Sequence, residues 1–308
     1  MPSNAAMVEE RYPAKPVRLI AQGAVGSGPD VLTRLVVEHL SKRWNRPIVI
    51  VNSTGAGGLT ALQMAARAEH DGYTLYAPTI TTFVILPEMH AKLPANPDRD
   101  FVTIGLLAQT PMAIAAAPAL GVGQLTELIA TARARPEAIF YAANSRGSLP
   151  HLTAELWRQR SGSPMTFVPY AGVAAGLQDL LGGRVSVIIE SIGALNGAIK
   201  AKAIIPLAVA SPARLATYPD LPTVAETMPG FTAVGWIALA APRDTPRDLI
   251  QKISDDLRGA LSAHALLQRF EELGAVAIAM TPSQAQQFIQ AEEKHWRPVV
   301  RRVGLPSQ

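Results

Sequence analysis

The 308-residue sequence contains no cysteine, which excludes disulfides, thiol nucleophiles and thiolate metal sites at once. Aromatic residues make up 6% and charged residues 17%, and no uncharged apolar run reaches the roughly 18–20 residues that a bilayer-spanning helix needs. The longest runs, near residues 112–120 and 236–242, have strand length. The histidines His39, His70, His90, His151, His264 and His295 lack the H-x-H and H-E-x-x-H spacings, so no metal site is expected. Nor is either nucleotide signature present: Val31 stands where the third glycine of G-x-G-x-x-G would follow Gly26 and Gly28, and no phosphate loop ends in Gly-Lys-Ser/Thr. No cofactor is therefore expected.

What is present is ordinary globular usage, with 48% hydrophobic residues and 23 glycines and 25 prolines scattered without a repeat. The length suits two domains, each large enough for its own core. A net charge of +4 comes from dispersed Lys and Arg, apart from Arg297, Arg301 and Arg302. That reads as a solvated face, not a nucleic-acid surface. Carboxylate pairs such as Asp255-Asp256 and Glu292-Glu293 fall on predicted helices and read as solvated too.

The pattern alternates short β-branched runs with helical periods, as an α/β sheet requires. Strands are predicted at residues 17–21, 48–51 and 74–77, with helices over 30–42 and 59–69. A second series follows, with strands at 140–143, 165–169 and 185–189 and helices at 150–160 and 174–181. Two wound units imply two α/β lobes. The apolar stretches 104–117 and 234–241 have no helical period and are expected to cross between them. Lobe one is then discontinuous, residues 1–107 with 235–308, and lobe two is 108–234. C-terminal helices over 246–262, 265–273 and 282–300 are expected to pack back on lobe one.

Glycine-rich turns between a strand end and a helix start are where open α/β sheets bind ligands, because each helix start leaves about four unpaired N–H groups and a partial positive charge. The chain has such turns at residues 23–30, 52–58, 144–151 and 170–174. Together they favour an anion site over ordinary tight turns. A serine hydrolase with Ser145 as nucleophile is the alternative, since 143–147 approximates a nucleophile elbow; against it, Ala143 replaces the first glycine and no oxyanion loop precedes it.

Several motifs occur in a fixed order from Tyr12 to Gly304: Tyr12-Pro13-x-Lys15-Pro16-x-Arg18-Leu19-Ile20 leading into the turn ending in Asp30, Arg46-Pro47-Ile48-Val49-Ile50-Val51-Asn52 with Gly55-Ala56-Gly57-Gly58, and Asp71-Gly72-Tyr73-Thr74-Leu75. Pro150-His151-Leu152, Val168-Pro169-Tyr170-x-Gly172, Asp179-Leu180-Leu181-Gly182-Gly183 and Pro219-Asp220-Leu221-Pro222-Thr223-Val224-x-Glu226 follow. In these the sequence resembles the periplasmic substrate-binding receptors of tripartite tricarboxylate transporters, the Bug-type receptors. The resemblance implies a two-lobed, type II periplasmic binding-protein fold that closes on a small organic carboxylate, is not an enzyme and delivers to membrane transporter subunits; a monomer is the simplest expectation. It also implies a periplasmic destination. Glu9, Glu10 and Arg11 stand where a leader would be apolar, so a leader is expected to have been removed; a chain native from Met1 would instead suggest a cytosolic carboxylate sensor.

By the same resemblance, Gly26, Ser27, Gly28, Asp30, Thr79, Thr81 and Thr82 of lobe one face Ser145, Arg146, Ser148, His151, Tyr170, Gly172, Ala174, Ala175 and Ser191 of lobe two. Two departures stand out: Ser27-Gly28-Pro29 where relatives carry Gly-Pro-Thr or similar, and Arg146 where they carry a small polar residue. Arg146 is expected to pair a second ligand carboxylate, which favours a dicarboxylate, aliphatic or aromatic.

Overall fold

The computed structural model describes residues 12–90 and 92–304; Glu9, Glu10 and Arg11, on which the leader expectation rests, lie outside the described residues. Its strands are β1 (Val17–Ala21), β2 (Ile48–Asn52), β3 (Thr74–Ala77), β4 (Phe101–Ala116), β5 (Phe140–Ala143), β6 (Thr166–Pro169), β7 (Val187–Ser191), β8 (Ile205–Val209) and β9 (Val234–Pro242). They run in the order β2-β1-β3-β9-β4-β7-β5-β6, with β8 also on β4. The main helices are α1 (Gly28–Trp44), α2 (Leu59–Ala66), α3 (Leu125–Ala134), α4 (Leu149–Ser161), α5 (Val173–Leu181), α6 (Ile192–Lys200), α7 (Arg247–Leu261), α8 (His264–Glu272) and α9 (Pro282–Val303).

β4 joins the two halves of this sheet. Its 16 residues, at roughly 3.3 Å each, extend about 50 Å. Residues 101–111 pair antiparallel with β9, which continues through β3 into the parallel β1 and β2. Residues 112–116 pair with β7 and β8, and β7 continues through β5 to β6. The change of partner falls at Pro111, which has no N–H to donate and makes the last pair with Val234. Just beyond it, Ala210 donates to Met112 C=O and Ala233 donates to Ala210 C=O. Register shifts between Thr103 and Gly105 and between Leu106 and Ala108 twist β4 as it crosses.

The helices cover this sheet with one apolar face each. α1 starts at an extended Ser27, with Pro29 in its first turn and Asp30 complementing the dipole, and ends on Asn45 in the left-handed region. It buries Leu32, Val36, Val37, Leu40 and Trp44, each worth about 1.5–3 kcal/mol. α7 packs against it, and here one expectation from the sequence is corrected. Asp256 is buried, accepting hydrogen bonds from Trp44 Nε1 (2.8 Å), Arg43 Nε (2.6 Å) and Lys252 Nζ (2.8 Å), while its neighbour Asp255 stays at the surface. Adjacent helical residues point about 100° apart, so one member of the pair turns inward.

α9 packs against β4 and the 81–89 segment of the first half and also reaches α4 in the second. Its 22 residues span about 33 Å, enough to reach both halves. Arg297 and Arg301 grip Glu88, and Arg302 donates to Gln159 of α4. A second contact between the halves lies at the start of α6, where a β-carbon on Gly193 would sit 2.0 Å from Leu273 O. Only glycine fits there, and Asn196 Nδ2 donates to Glu272 O beside it.

Candidate functional site

The first half-site forms at the C-terminal ends of β1, β2 and β3. Asp30 is its organiser: Oδ2 accepts from Gly26 N–H and Arg34 Nε, both at 2.8 Å, and Oδ1 accepts from Asn52 Nδ2 at 2.8 Å. Asn52 Nδ2 also donates to Gly23 O, and Arg34 Nη2 donates to Asn52 Oδ1. Burial by itself would raise the Asp30 carboxyl, but Arg34, the Gly26 N–H and Asn52 together hold it below its ordinary value. With 1% of its surface exposed, Asp30 faces into the turn, and it occupies the Gly26 N–H that the sequence assigns to ligand. Ser27 Oγ also turns inward, whereas Gly28 lies exposed at the start of α1.

Beside this turn, Gln22 Nε2 donates to Thr79 Oγ1 at 2.6 Å, and Thr79 Oγ1 also accepts from Thr81 N–H. Thr82 is fully buried, its hydroxyl tied to Thr79 and Tyr76, so it supports the Thr79 turn from beneath. Gly58 closes the arrangement at φ +104, where a β-carbon would come within 2.6 Å of Thr82 Cγ2 and 3.1 Å of Gln22 Oε1.

The second half-site forms at the ends of β5, β6 and β7. Ser145 and Arg146 are exposed on the turn after β5. Ser148 N–H donates to Ser145 O, Ser148 Oγ caps α4 by accepting from His151 N–H, and Gly147 N–H donates to His151 Nδ1 at 3.2 Å. Burial pushes His151 down to about 4, so it is neutral near pH 7 with Nδ1 as acceptor. Its ring packs at a 51° tilt against Phe167, 4.4 Å between centroids, and the Arg146 guanidinium lies 6.0 Å from the same Phe167 ring. Tyr170 spends its hydroxyl on Asp179 at 2.8 Å and its N–H on Ala143 O. Gly172 is the extended residue before α5, and the first hydrogen bond of that helix runs from Gly176 N–H to Gly172 O. The N–H groups of Val173, Ala174 and Ala175 come before it, and Ala174 and Ala175 are exposed.

Below them sits a carboxyl that the sequence reading omitted. Glu190 accepts from Asn144 Nδ2 (2.9 Å) and from Ser191 N–H (2.8 Å), which places Ser191 in this network through its backbone. Burial raises the Glu190 carboxyl and these hydrogen bonds only partly oppose it. Glu190 lines a small cavity together with Asn144, Tyr170, Gly172 and Val173. A larger groove of about 450 Å³, beside Gln109, Phe270 and Val276, is mainly apolar and stands apart from these turns. Gln22, Asn52, Asn144 and Glu190 share one signal that could have found them: each is a polar residue at or just past the C-terminal end of a parallel strand.

The two half-sites converge on one stretch of β9. Thr79 bridges Ile237, and Ala238 N–H donates to Pro78 O. Two residues along, about 7 Å of strand, a β-carbon at Gly235 would lie 3.4 Å from Leu149 Cδ2 at the start of α4. Among the described residues, no group of three His, Asp or Glu is arranged to hold a metal, and no histidine is hydrogen-bonded to the Ser145 hydroxyl. His295 Nε2 is instead engaged with Thr232 O at 3.0 Å.

Parallel half-sheets joined by two crossing strands, with helix starts and hydroxyls gathered at the junction, define a two-lobed solute-binding protein. Residues 32–305 match the tripartite tricarboxylate transporter family receptor, and the chain belongs to that family. It is 32% identical over 301 residues to protein BugT of Bordetella pertussis, covering 96% of this chain and 91% of that one. R. palustris Rpa4515, solved with adipate, superposes with a TM-score of 0.85 at 30% identity, covering 96% of this chain and all of the other. MatC from Rhodopseudomonas palustris, solved with bound malate, gives 0.79 at 28% identity over 94% of this chain and all of the other. The serine-hydrolase alternative finds no support in these relatives or in the surroundings of Ser145.

Proposed function

We propose that the protein is an extracytoplasmic, periplasmic receptor that captures a small organic dicarboxylate by lobe closure and passes it, unchanged, to the membrane subunits of its transporter. Residues 1–107 with 235–308 form one lobe and 108–234 the other, with β4 and β9 as the hinge, and the receptor acts as a monomer. The convergence of the Thr79 turn and the start of α4 on β9 carries this reading. The exposed Gly28 and the half-buried Thr79 and Thr81 on one side, and Ser145, Ser148, the first N–H groups of α5 and Ser191 on the other, hold one ligand carboxylate. Hydrogen bonds to a charged group net about 1.5–3 kcal/mol each, so three or four suffice without an obligatory arginine. Gly26, Ser27, Asp30, Thr82, His151, Tyr170 and Gly172 shape the turns that present these donors.

The test is a thermal-shift panel of acetate, hexanoate, malate, adipate, citrate and benzoate, followed by chromatography of the recovered acid. An acid at one hundred times its Kd adds about 2.7 kcal/mol, a rise of several degrees in Tm, and is recovered intact. Absence of stabilisation by every acid, or Ser145-dependent hydrolysis of an activated ester, contradicts the reading.

A further inference from the structure

Each half-site contains one inward carboxyl, and the two are treated differently. Asp30 is sealed and paired with the Arg34 guanidinium at 2.8 Å. Glu190 remains partly accessible at the small cavity beneath the start of α5, and none of the ion pairs among the described residues includes it. Its partners are all neutral: the Asn144 amide and, from Ser191, the backbone N–H and the hydroxyl.

The groups around it from every packed element are neutral or committed elsewhere. β5 and its turn contribute Asn144, and Arg146, whose guanidinium lies toward Phe167. The connection from β6 to α5 contributes Tyr170, whose hydroxyl is given to Asp179, itself paired with Arg184. β7 and the start of α6 contribute Ser191. From α4, His151 is neutral.

Building on the proposed carboxylate capture, we propose that Glu190 is a specificity-determining residue which takes up one solvent proton as the ligand binds and donates it, as an O–H hydrogen bond, to a ligand carboxylate oxygen. An ionised carboxylate offers about four acceptor positions, and Asn144 with the N–H and hydroxyl of Ser191 leaves at least one of Glu190's free. A second carboxylate arriving at the adjacent N–H groups would meet it as a like charge in a poorly solvated cavity, which is strongly unfavourable. One proton shared between the two carboxyls removes that repulsion and replaces it with a short charge-assisted bond. Burial already moves Glu190 toward the protonated form before any ligand arrives.

The experiment is calorimetric titration of the whole chain with adipate, malate or, if neither binds, the panel acid with the largest thermal shift. It runs from pH 6.5 to 8.5, where free carboxylic acids are ionised, in buffers of different ionisation enthalpy. Wild-type protein is expected to take up close to one proton per ligand at the upper end, with affinity falling by as much as tenfold per pH unit. Glu190→Gln is expected to fold, to bind without proton uptake and with a flat pH profile, and to exceed wild type at pH 8.5. Glu292→Gln, which removes another carboxyl raised by burial, must leave the uptake intact. The inference is overturned by pH-independent wild-type binding, by equal proton uptake in Glu190→Gln, or by weak binding of a folded Glu190→Gln at every pH. Should Glu190→Gln not fold, Glu190→Asp must shift the midpoint of the pH profile, and an unshifted midpoint overturns the inference. Binding without proton linkage leaves the receptor reading standing; no binding by any acid removes both.

Discussion

A carboxylate can build a binding site without touching what is bound. Asp30 collects the Gly26 N–H, Arg34 and Asn52 around a single buried carboxyl and so fixes the turn that carries Gly28. Asp30→Ala leaves the Asn52 amide and the Gly26 N–H without their acceptor, and we expect a loss of about 2–4 kcal/mol in urea unfolding together with at least tenfold weaker binding of the most stabilising acid of the panel. Lost stability with unchanged affinity would deny Asp30 its positioning role. Arg146 is the opposite kind of residue, exposed and outside every ion pair among the described residues. Arg146→Ala is expected to weaken the most stabilising dicarboxylate about tenfold, or about 1.4 kcal/mol, and its monocarboxylate analogue by far less. Equal losses for both acids would refute its pairing with a second carboxylate. That these turns matter was legible in their glycines and their place after strands. Which atoms turn inward was not, because Asp30 is held by Asn52, 22 residues away, and Thr82 by Tyr76.

At the scale of elements, α9 carries a carboxyl whose titration is readable in stability. Trp236 Nε1 of β9 donates to Glu292 Oε2 at 3.2 Å, but burial dominates and pushes the carboxyl up from 4.5 to about 7. The folded state therefore holds this proton more tightly than the unfolded chain, so the contribution of Glu292 is fully present below pH 4.5 and is lost as pH rises to about 7. His151, lowered from 6.5 to about 4, works in the other direction, its contribution being lost as pH falls from 6.5 toward 4. The two oppose each other below pH 6.5, and above it the Glu292 contribution goes on falling to about pH 7 while that of His151 is constant. Glu292→Gln should consequently raise stability at pH 8 by on the order of 2 kcal/mol and leave it nearly unchanged at pH 4, as measured by urea unfolding at both values.

Most elements with a clear period were legible: β1 to β7, β9 and the longer helices fall within a few residues of their predicted ends. α6 and β8 were not. The segment Ile192–Lys200 has two glycines in nine residues, which weakens its helical signal, and β8 opens Ile-Pro, where proline speaks against a strand. Glu292 and Asp256 read as solvated because a charged pair on a helix gives no sign of the tryptophan that each of them meets.

For the whole molecule, the arrangement of the halves follows from one long strand that changes partners at Pro111. The wound units and crossing strands were visible as apolar stretches without helical period. The contacts that tie the halves together away from the site were not, since Gly193 against Leu273 and Arg302 against Gln159 join segments remote in sequence. A ligand that bridges both half-sites favours the state in which they approach, by the difference in contacts it makes there. Small-angle X-ray scattering, with and without a saturating amount of the most stabilising organic acid, tests this most directly. The account predicts a smaller radius of gyration with the acid bound; an unchanged or larger radius at proven saturation would contradict it.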